Sequence, residues 1–169
     1  MVTVSEVEVV ICCRIFDKTW EVLNMPKILV VDDDDTIRDT LYELLSEQYL
    51  CQTAETAEKA FARLEADSYN VVLTDISMPG LSGLELLGHI RQKFPDTPVI
   101  MISGIGDQDH AQGLIKLGAF DFLLKPFSLD VVEKSVQRAV EYNRRLTQGD
   151  VRGSEQAEEK KDTSDWKII

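Results

Sequence analysis

Short apolar runs alternate with amphipathic stretches along most of this chain, and that alternation leaves few folds open. The runs at 27–31, 50–53, 70–75, 98–102 and 119–124 have strand length, and most carry almost no polar residue. Between them the apolar residues recur at helical spacing. Ile37, Leu41, Leu44 and Leu45 share one face over 35–47, as do Ala57, Ala60, Phe61 and Leu64 over 55–66. Leu84, Leu86, Leu87 and Ile90 do so over 82–93. A less apolar helix over 107–117 stops at Gly118, a C-cap residue. The last helix, 128–146, starts after Ser128 as N-cap and presents Val131, Val132, Val136, Ala139 and Val140. Strands that are apolar along their whole length are expected where both faces are covered. Alternation with helices then implies a doubly wound α/β fold: a five-stranded parallel sheet with right-handed crossovers and helices on both faces.

Sheets of this kind bind ligands beyond the carboxyl ends of their strands, and the polar residues of this sequence collect there. The first run ends in Asp32, Asp33, Asp34 and Asp35, the third in Asp75, the fourth in Ser103-Gly104, and the fifth in Lys125-Pro126. Asp75 follows Val71-Val72-Leu73-Thr74 and precedes Ile76-Ser77-Met78-Pro79-Gly80, so it sits at a strand tip that turns into a loop. A buried acid is costly unless paired. Neighbouring acids also raise one another's pKa unless a cation neutralises them. Magnesium suits such a site because it takes a few carboxylate oxygens and keeps room for water and phosphate; manganese can substitute for it. Asp33 and Asp75 are assigned as direct ligands, Asp32 acts through water, and the Ser77 main-chain carbonyl supplies a further oxygen. Asp75 can then attack a phosphoryl donor to give an acyl phosphate. The metal would bind one phosphoryl oxygen, Lys125 a second and Ser103 a third.

Other polar residues have plainer readings. Asp34 and Asp35 fit turn formation or helix capping. His89 and His110 sit on helices without ligand spacing and are read as surface residues. Arg138, Arg144 and Arg145 are read as favourable charges near the end of the last helix.

The net charge of −12, concentrated in the central segment, argues against a general nucleic-acid surface. Three cysteines, Cys12, Cys13 and Cys51, form no disulfide or zinc pattern and fit a reduced, cytoplasmic protein. No apolar stretch reaches membrane-spanning length, and Glu6 and Glu8 stand where a signal peptide carries positive charge. Residues 1–26 form an extension. Val7, Val9, Ile11, Cys13 and Ile15 alternate as in a strand, which fits an edge strand or partner-binding segment; an unstructured leader before Met25-Pro26-Lys27 is the alternative. Residues 147–169 read as a polar, flexible tail, with Trp166 as its one isolated aromatic.

Taken together, Ile28–Asp35, Val71–Gly83, Val99–Gly104 and Gly118–Phe127 resemble the receiver domain of bacterial two-component response regulators, over residues 27–146. The resemblance implies a flavodoxin-like fold with strand order 2-1-3-4-5. It implies a sensor histidine kinase or phosphotransfer protein that phosphorylates Asp75 in a Mg²⁺-dependent reaction. It further implies Asp32 and Asp33 as the acidic pair, Ser103 as the switch hydroxyl, Lys125 as the site lysine and Phe122 in the place of an aromatic switch residue. Phosphorylation would draw Ser103 inward and let Phe122 follow, changing an output face built from helix 107–117, strand 119–124 and helix 128–146. That face would dock a downstream protein or a second copy. Only a short tail follows the receiver segment, so the chain is expected to be a single-domain signalling protein, or one receiver cut from a longer one, and not an enzyme.

Three rival readings fit these residues less well. An aspartyl phosphatase would want a second acid two residues after the nucleophile, where this chain has Ser77. A flavin carrier would want a phosphate-cradling loop where this chain has four acids. A degenerate receiver would act as an interaction module without phosphorylation, yet every key residue is present.

Overall fold

The computed structural model describes residues 25–104 and 113–149. The chain runs β1 (Lys27–Val31), α1 (Asp35–Ser46), β2 (Leu50–Ala54), α2 (Ala57–Ala66), β3 (Val71–Asp75), α3 (Gly83–Lys93), β4 (Val99–Ser103), β5 (Asp121–Leu124) and α4 (Leu129–Gly149). Residues 113–116 are also helical. The five strands form one parallel sheet in the order β2-β1-β3-β4-β5, as the alternation and the family resemblance led one to expect.

Side-chain alternation splits the apolar strands between two cores. Leu29, Val31, Val72, Val99 and Met101 face α2 and α3, where Ala60, Leu64, Leu86, Leu87 and Ile90 meet them. Ile28, Val30, Leu73, Ile100 and Ile102 face α1 and α4, against Leu41, Leu45, Val132, Val136 and Ala139. Each fully buried Leu or Ile contributes roughly 1.5–3 kcal/mol by leaving water. Cys51 on β2 is half-buried, and burial pushes its thiol up to about 12, which leaves it unreactive at neutral pH.

Local chemistry sets the element boundaries. Asp34 caps α1, accepting from the Thr36 and Ile37 N–H groups; these donors, Ile37 first, hold its carboxyl below the usual range. Thr56 caps α2, so that helix starts at Ala57. Ser82 and Glu85 form a capping box on α3. Gly118, with φ +97°, ends the helical turn as expected: its N–H donates to the Ile115 carbonyl and the Ala119 N–H to that of Leu114. Because this cap consumes Ala119, β5 begins at Asp121 and not at 119. Residues 105–112, which include most of the helix expected over 107–117 and His110, lie outside the described residues. So do residues 1–24 and 150–169.

Some readings of the helices change. Leu84 and Val131 are exposed, since the buried stripes of α3 and α4 are narrower than their apolar content. Helix α4 runs to Gly149, past the expected stop at 146, and no basic residue stands in its last turn. Arg138, Arg144 and Arg145 therefore lie before the helix end; Arg138 bonds Asp121 at the start of β5 at 2.5 Å. Asp121 also accepts from the buried Ser135 hydroxyl at 2.5 Å. Among the described residues, no helix is long and apolar enough to cross a membrane.

Helix α4 is fastened to the sheet by Asn143, which is buried. Its side chain accepts from Asn70 Nδ2 and donates to the Asp96 carbonyl, both at 2.8 Å. Asn70 in turn accepts the Lys27 N–H at 2.7 Å. The amino ends of β1 and β3 and the approach to β4 thus meet α4 through one pair of amides. Asn143→Ala leaves the Asn70 amide and the Asp96 carbonyl unsatisfied, and is expected to cost about 1–3 kcal/mol in urea unfolding; a midpoint unchanged from wild type would show that the pair holds nothing.

Candidate functional site

Asp75 and Ser103 end β3 and β4, whereas Asp32 and Lys125 stand one step past β1 and β5, and an extension of the ladder pins each tip. The Asp32 N–H donates to the Ala54 carbonyl at 3.2 Å, the Ile76 N–H to Ile102 at 2.9 Å, and the Lys125 N–H to Ser103 at 2.7 Å. The sheet order sets Asp32 and Asp75 on neighbouring central strands, with Lys125 reaching over β4 from the edge. Its Nζ lies 2.5 Å from Asp75 Oδ1 and 3.0 Å from Asp32 Oδ2. The Lys125–Pro126 peptide is cis.

The carboxylates are held from behind by backbone donors. Asp75 Oδ2 accepts the Ser77 N–H at 2.6 Å, and Asp32 Oδ1 accepts that of Asp34 at 2.9 Å. Asp32 is fully buried and Asp75 nearly so, whereas Asp33 is exposed. Burial is the largest influence on Asp32 and raises its pKa, against the lowering effect of the Asp34 N–H and Lys125. Burial pulls Lys125 the other way, yet the two carboxylates outweigh it and its ammonium titrates above the ordinary value.

Ser103 is buried at the end of β4, and its Oγ donates to the Gly104 carbonyl at 3.3 Å. Phe122 is half-buried and packs on the α2–α3 face of the sheet. The register pairs Met101 with Phe122 and Ser103 with Leu124, so Ser103 and Phe122 point to the same face.

The structure therefore gathers Asp32, Asp75, Ser103 and Lys125 at one end of the sheet, with Asp33 and Ser77 beside them. The donors are hard oxygens, and two buried carboxylates share one ammonium, which leaves negative charge in the site. That chemistry fits Mg²⁺ or Mn²⁺ and not a soft metal. Among the described residues, no group of three or more His, Cys, Asp or Glu is already arranged around a common point; Lys125 Nζ lies where the two buried acids converge.

Three supporting residues escaped the sequence reading. Arg38 Nη1 donates to the Asp32 carbonyl at 2.7 Å while its other nitrogen pairs with Asp35; the Asp35-Arg38 spacing was its only signal. Gly83 opens α3 so close to the strand tip that a Cβ would fall 2.0 Å from the Asp75 carbonyl oxygen. Glu58, on α2, accepts the Leu81 N–H in the loop after Asp75 at 3.0 Å. Neither Gly83 nor Glu58 is marked by any local pattern. His89 is exposed and meets Phe61 edge-on.

Residues 28–137 match the family model described as the response regulator receiver domain. The chain is 40% identical over 116 residues to the DNA-binding transcriptional regulator NtrC of Salmonella typhimurium, covering 68% of this chain and 25% of that protein. It is 40% identical over 117 residues to the nitrogen assimilation regulatory protein NtrX of Azorhizobium caulinodans, covering 68% and 26%. The chain thus spans about a quarter of the length of these curated relatives. Among solved structures, the receiver domain of NtrX from Brucella abortus matches with TM-score 0.65 and 41% identity, over 68% of this chain and 98% of that one. A response regulator receiver domain protein from Clostridium thermocellum matches with TM-score 0.68 and 33% identity, over 72% and 99%.

The raised pKa of Asp32 fixes the sign of a pH effect. Between the ordinary value of 3.8 and its folded value, the folded protein keeps a proton that the unfolded chain has released. Stability from this group therefore falls as pH rises through that window. Asp32→Asn removes the buried charge, so without divalent metal it is expected to melt above wild type at pH 7, with the advantage vanishing as pH falls toward 3.8. A variant that melts lower at pH 7 would show that the Lys125 pairing outweighs burial. Lys125 has the opposite sense: its contribution is full below 10.5 and is lost as pH rises through its higher folded value.

Proposed function

The chain belongs to the receiver-domain family of two-component response regulators, and from that premise we propose that it accepts a phosphoryl group on Asp75. The observation that carries the reading is the Lys125 ammonium, held against both Asp75 and Asp32 at the carboxyl end of the sheet. A carboxylate oxygen of Asp75 forms the new bond to phosphorus as the phosphorus–nitrogen bond of a donor phosphohistidine breaks. The leaving imidazole keeps the electron pair of that bond. Lys125 is placed to neutralise one phosphoryl oxygen, and the Ser103 hydroxyl to donate to another. Mg²⁺ would be held by Asp33, Asp75 and the Ser77 carbonyl, with Asp32 through water, and supplies charge neutralisation for a dianionic group entering an acidic site. Little else is demanded of the protein, since transfer of this kind rests on positioning and charge.

The receiver unit is assigned to residues 27–146, with a histidine kinase or phosphotransfer protein as donor in the cytoplasm. Phosphorylation adds close to two negative charges beside Ser103. Ser103 moves toward them, and Phe122, on the same face of the sheet, fills the space released. The surface around residues 113–117, β5 and α4 changes with it and meets a downstream protein or a second copy. Ile115, Leu117 and Val131 are exposed there and give that surface apolar contact area.

Acetyl phosphate with Mg²⁺ is expected to raise the intact mass by one phosphoryl group, and Asp75→Asn to abolish the gain. A folded, Mg²⁺-loaded protein that stays unlabelled would favour a phosphorylation-independent interaction module. Millimolar Mg²⁺ is also expected to raise the melting temperature, by about 2.7 kcal/mol of added stability at one hundred times Kd, with Asp33→Asn blunting the rise. Superimposable melting curves with and without the metal would remove it from the site.

A further inference from the structure

The loop after Asp75 is short of internal anchors in its outer half. Its inner half is secured by the Ser77 N–H on Asp75, and by the Gly83 N–H on the Ile76 carbonyl at 3.0 Å. Beyond Met78 the chain turns at Pro79-Gly80, with φ +81° at the glycine. Proline followed by a positive-φ glycine is the signature of a type II turn, whose closing donor would be the Leu81 N–H. Here that N–H donates to Glu58 Oε1 at 3.0 Å, on a different element of the fold. The same carboxylate oxygen lies 2.9 Å from where a Cβ on Gly80 would be. Glu58 thus lies against the turn and takes the hydrogen bond that would otherwise close it.

We propose that Glu58 is a positioning residue for the Asp75 loop, acting through the Leu81 N–H to hold Ser77 and Asp75 in the arrangement that receives Mg²⁺. The inference rests on the phosphoacceptor reading above and adds a tether from α2 to it. Glu58 stands in the first turn of α2, behind the Thr56 cap, so a helix that carries none of the site residues nonetheless fixes the loop that does. Its carboxyl is kept below the usual carboxylate range, first by its own backbone N–H and next by that of Leu81, so the acceptor stays ionised at neutral pH. A hydrogen bond to a charged acceptor is among the stronger ones a surface loop can make. The tether also restricts Gly80: an alanine there would meet both the strained φ and the Glu58 oxygen.

The experiment compares wild type, Glu58→Ala and Glu58→Gln. Mg²⁺ affinity is read from amide shifts of Asp75 and Ser77, Leu81 exchange from the same spectra, and acetyl phosphate labelling from intact mass. Glu58→Ala is expected to weaken Mg²⁺ binding roughly 3- to 10-fold, the scale of one such hydrogen bond. It should speed exchange of the Leu81 amide, while strand amides of the sheet keep their protection and the labelling rate at saturating Mg²⁺ stays near wild type. Glu58→Gln, which keeps an oxygen acceptor, should recover most of the affinity. Equal Mg²⁺ affinity in wild type and Glu58→Ala, or equal loss in Ala and Gln, overturns the tether. Wild type that binds Mg²⁺ but takes no phosphoryl group overturns the phosphoacceptor reading instead, and the affinity comparison still decides the role of Glu58.

Discussion

Two carboxylates that the sheet removes from water share the ammonium of Lys125, and the rest of the structure is arranged so that this is tolerable. Taking an ion out of water costs on the order of several kcal/mol even after relaxation. Asp32 cannot escape that cost by moving, because its N–H is bound to the Ala54 carbonyl and its own carbonyl is held by Arg38. Nor can Lys125 withdraw, since its backbone is tied to Ser103. The fold supplies the rigidity and the pair supplies the charge. A site in this condition carries a standing excess of negative charge, which is what makes a hard cation welcome there.

The sequence announced the scaffold and the chemistry for one reason: both are written in short-range patterns. Apolar runs that alternate with helical spacing define a doubly wound sheet, and acids, Ser103 and Lys125 at run ends mark its carboxyl edge. The cap residues Asp34, Thr56, Ser82 and Gly118 belong to the same local code. Contacts between elements distant in sequence are not in that code. Which member of the Asp32–Asp33 pair is buried depends on strand phase at the last residue before a turn. The bond from Asn143 to Asn70 joins residues 73 apart, and that from Glu58 to Leu81 joins residues 23 apart. Each looks in the sequence like any other surface amide or acid. Leu84 and Val131 fail in the opposite sense: their apolar character suggests a core, but the helix face already has enough apolar residues without them.

Support for the site comes from both sides of the sheet. Glu58 and Gly83 belong to the α2–α3 side, and Arg38 to α1 on the other. Phe122 packs with the first group, while its neighbour Leu123 joins the second. Ser103 and Phe122 thus face the α2–α3 side, and β5 is joined to α4 by the Asp121–Ser135–Arg138 contacts.

The amide that fastens α4 sits far along the helix, and this placement has a mechanical consequence. At 1.5 Å per residue, Asn143 lies about 21 Å from the first residue of α4 and about 9 Å from its last. A stiff rod pinned at such a point acts as a lever with an off-centre fulcrum. A 1 Å displacement where α4 leaves the site end becomes roughly 0.4 Å in the opposite direction at Gly149, with the same tilt of a few degrees. Tilted about that point, the far end of α4 would change its orientation more than its position.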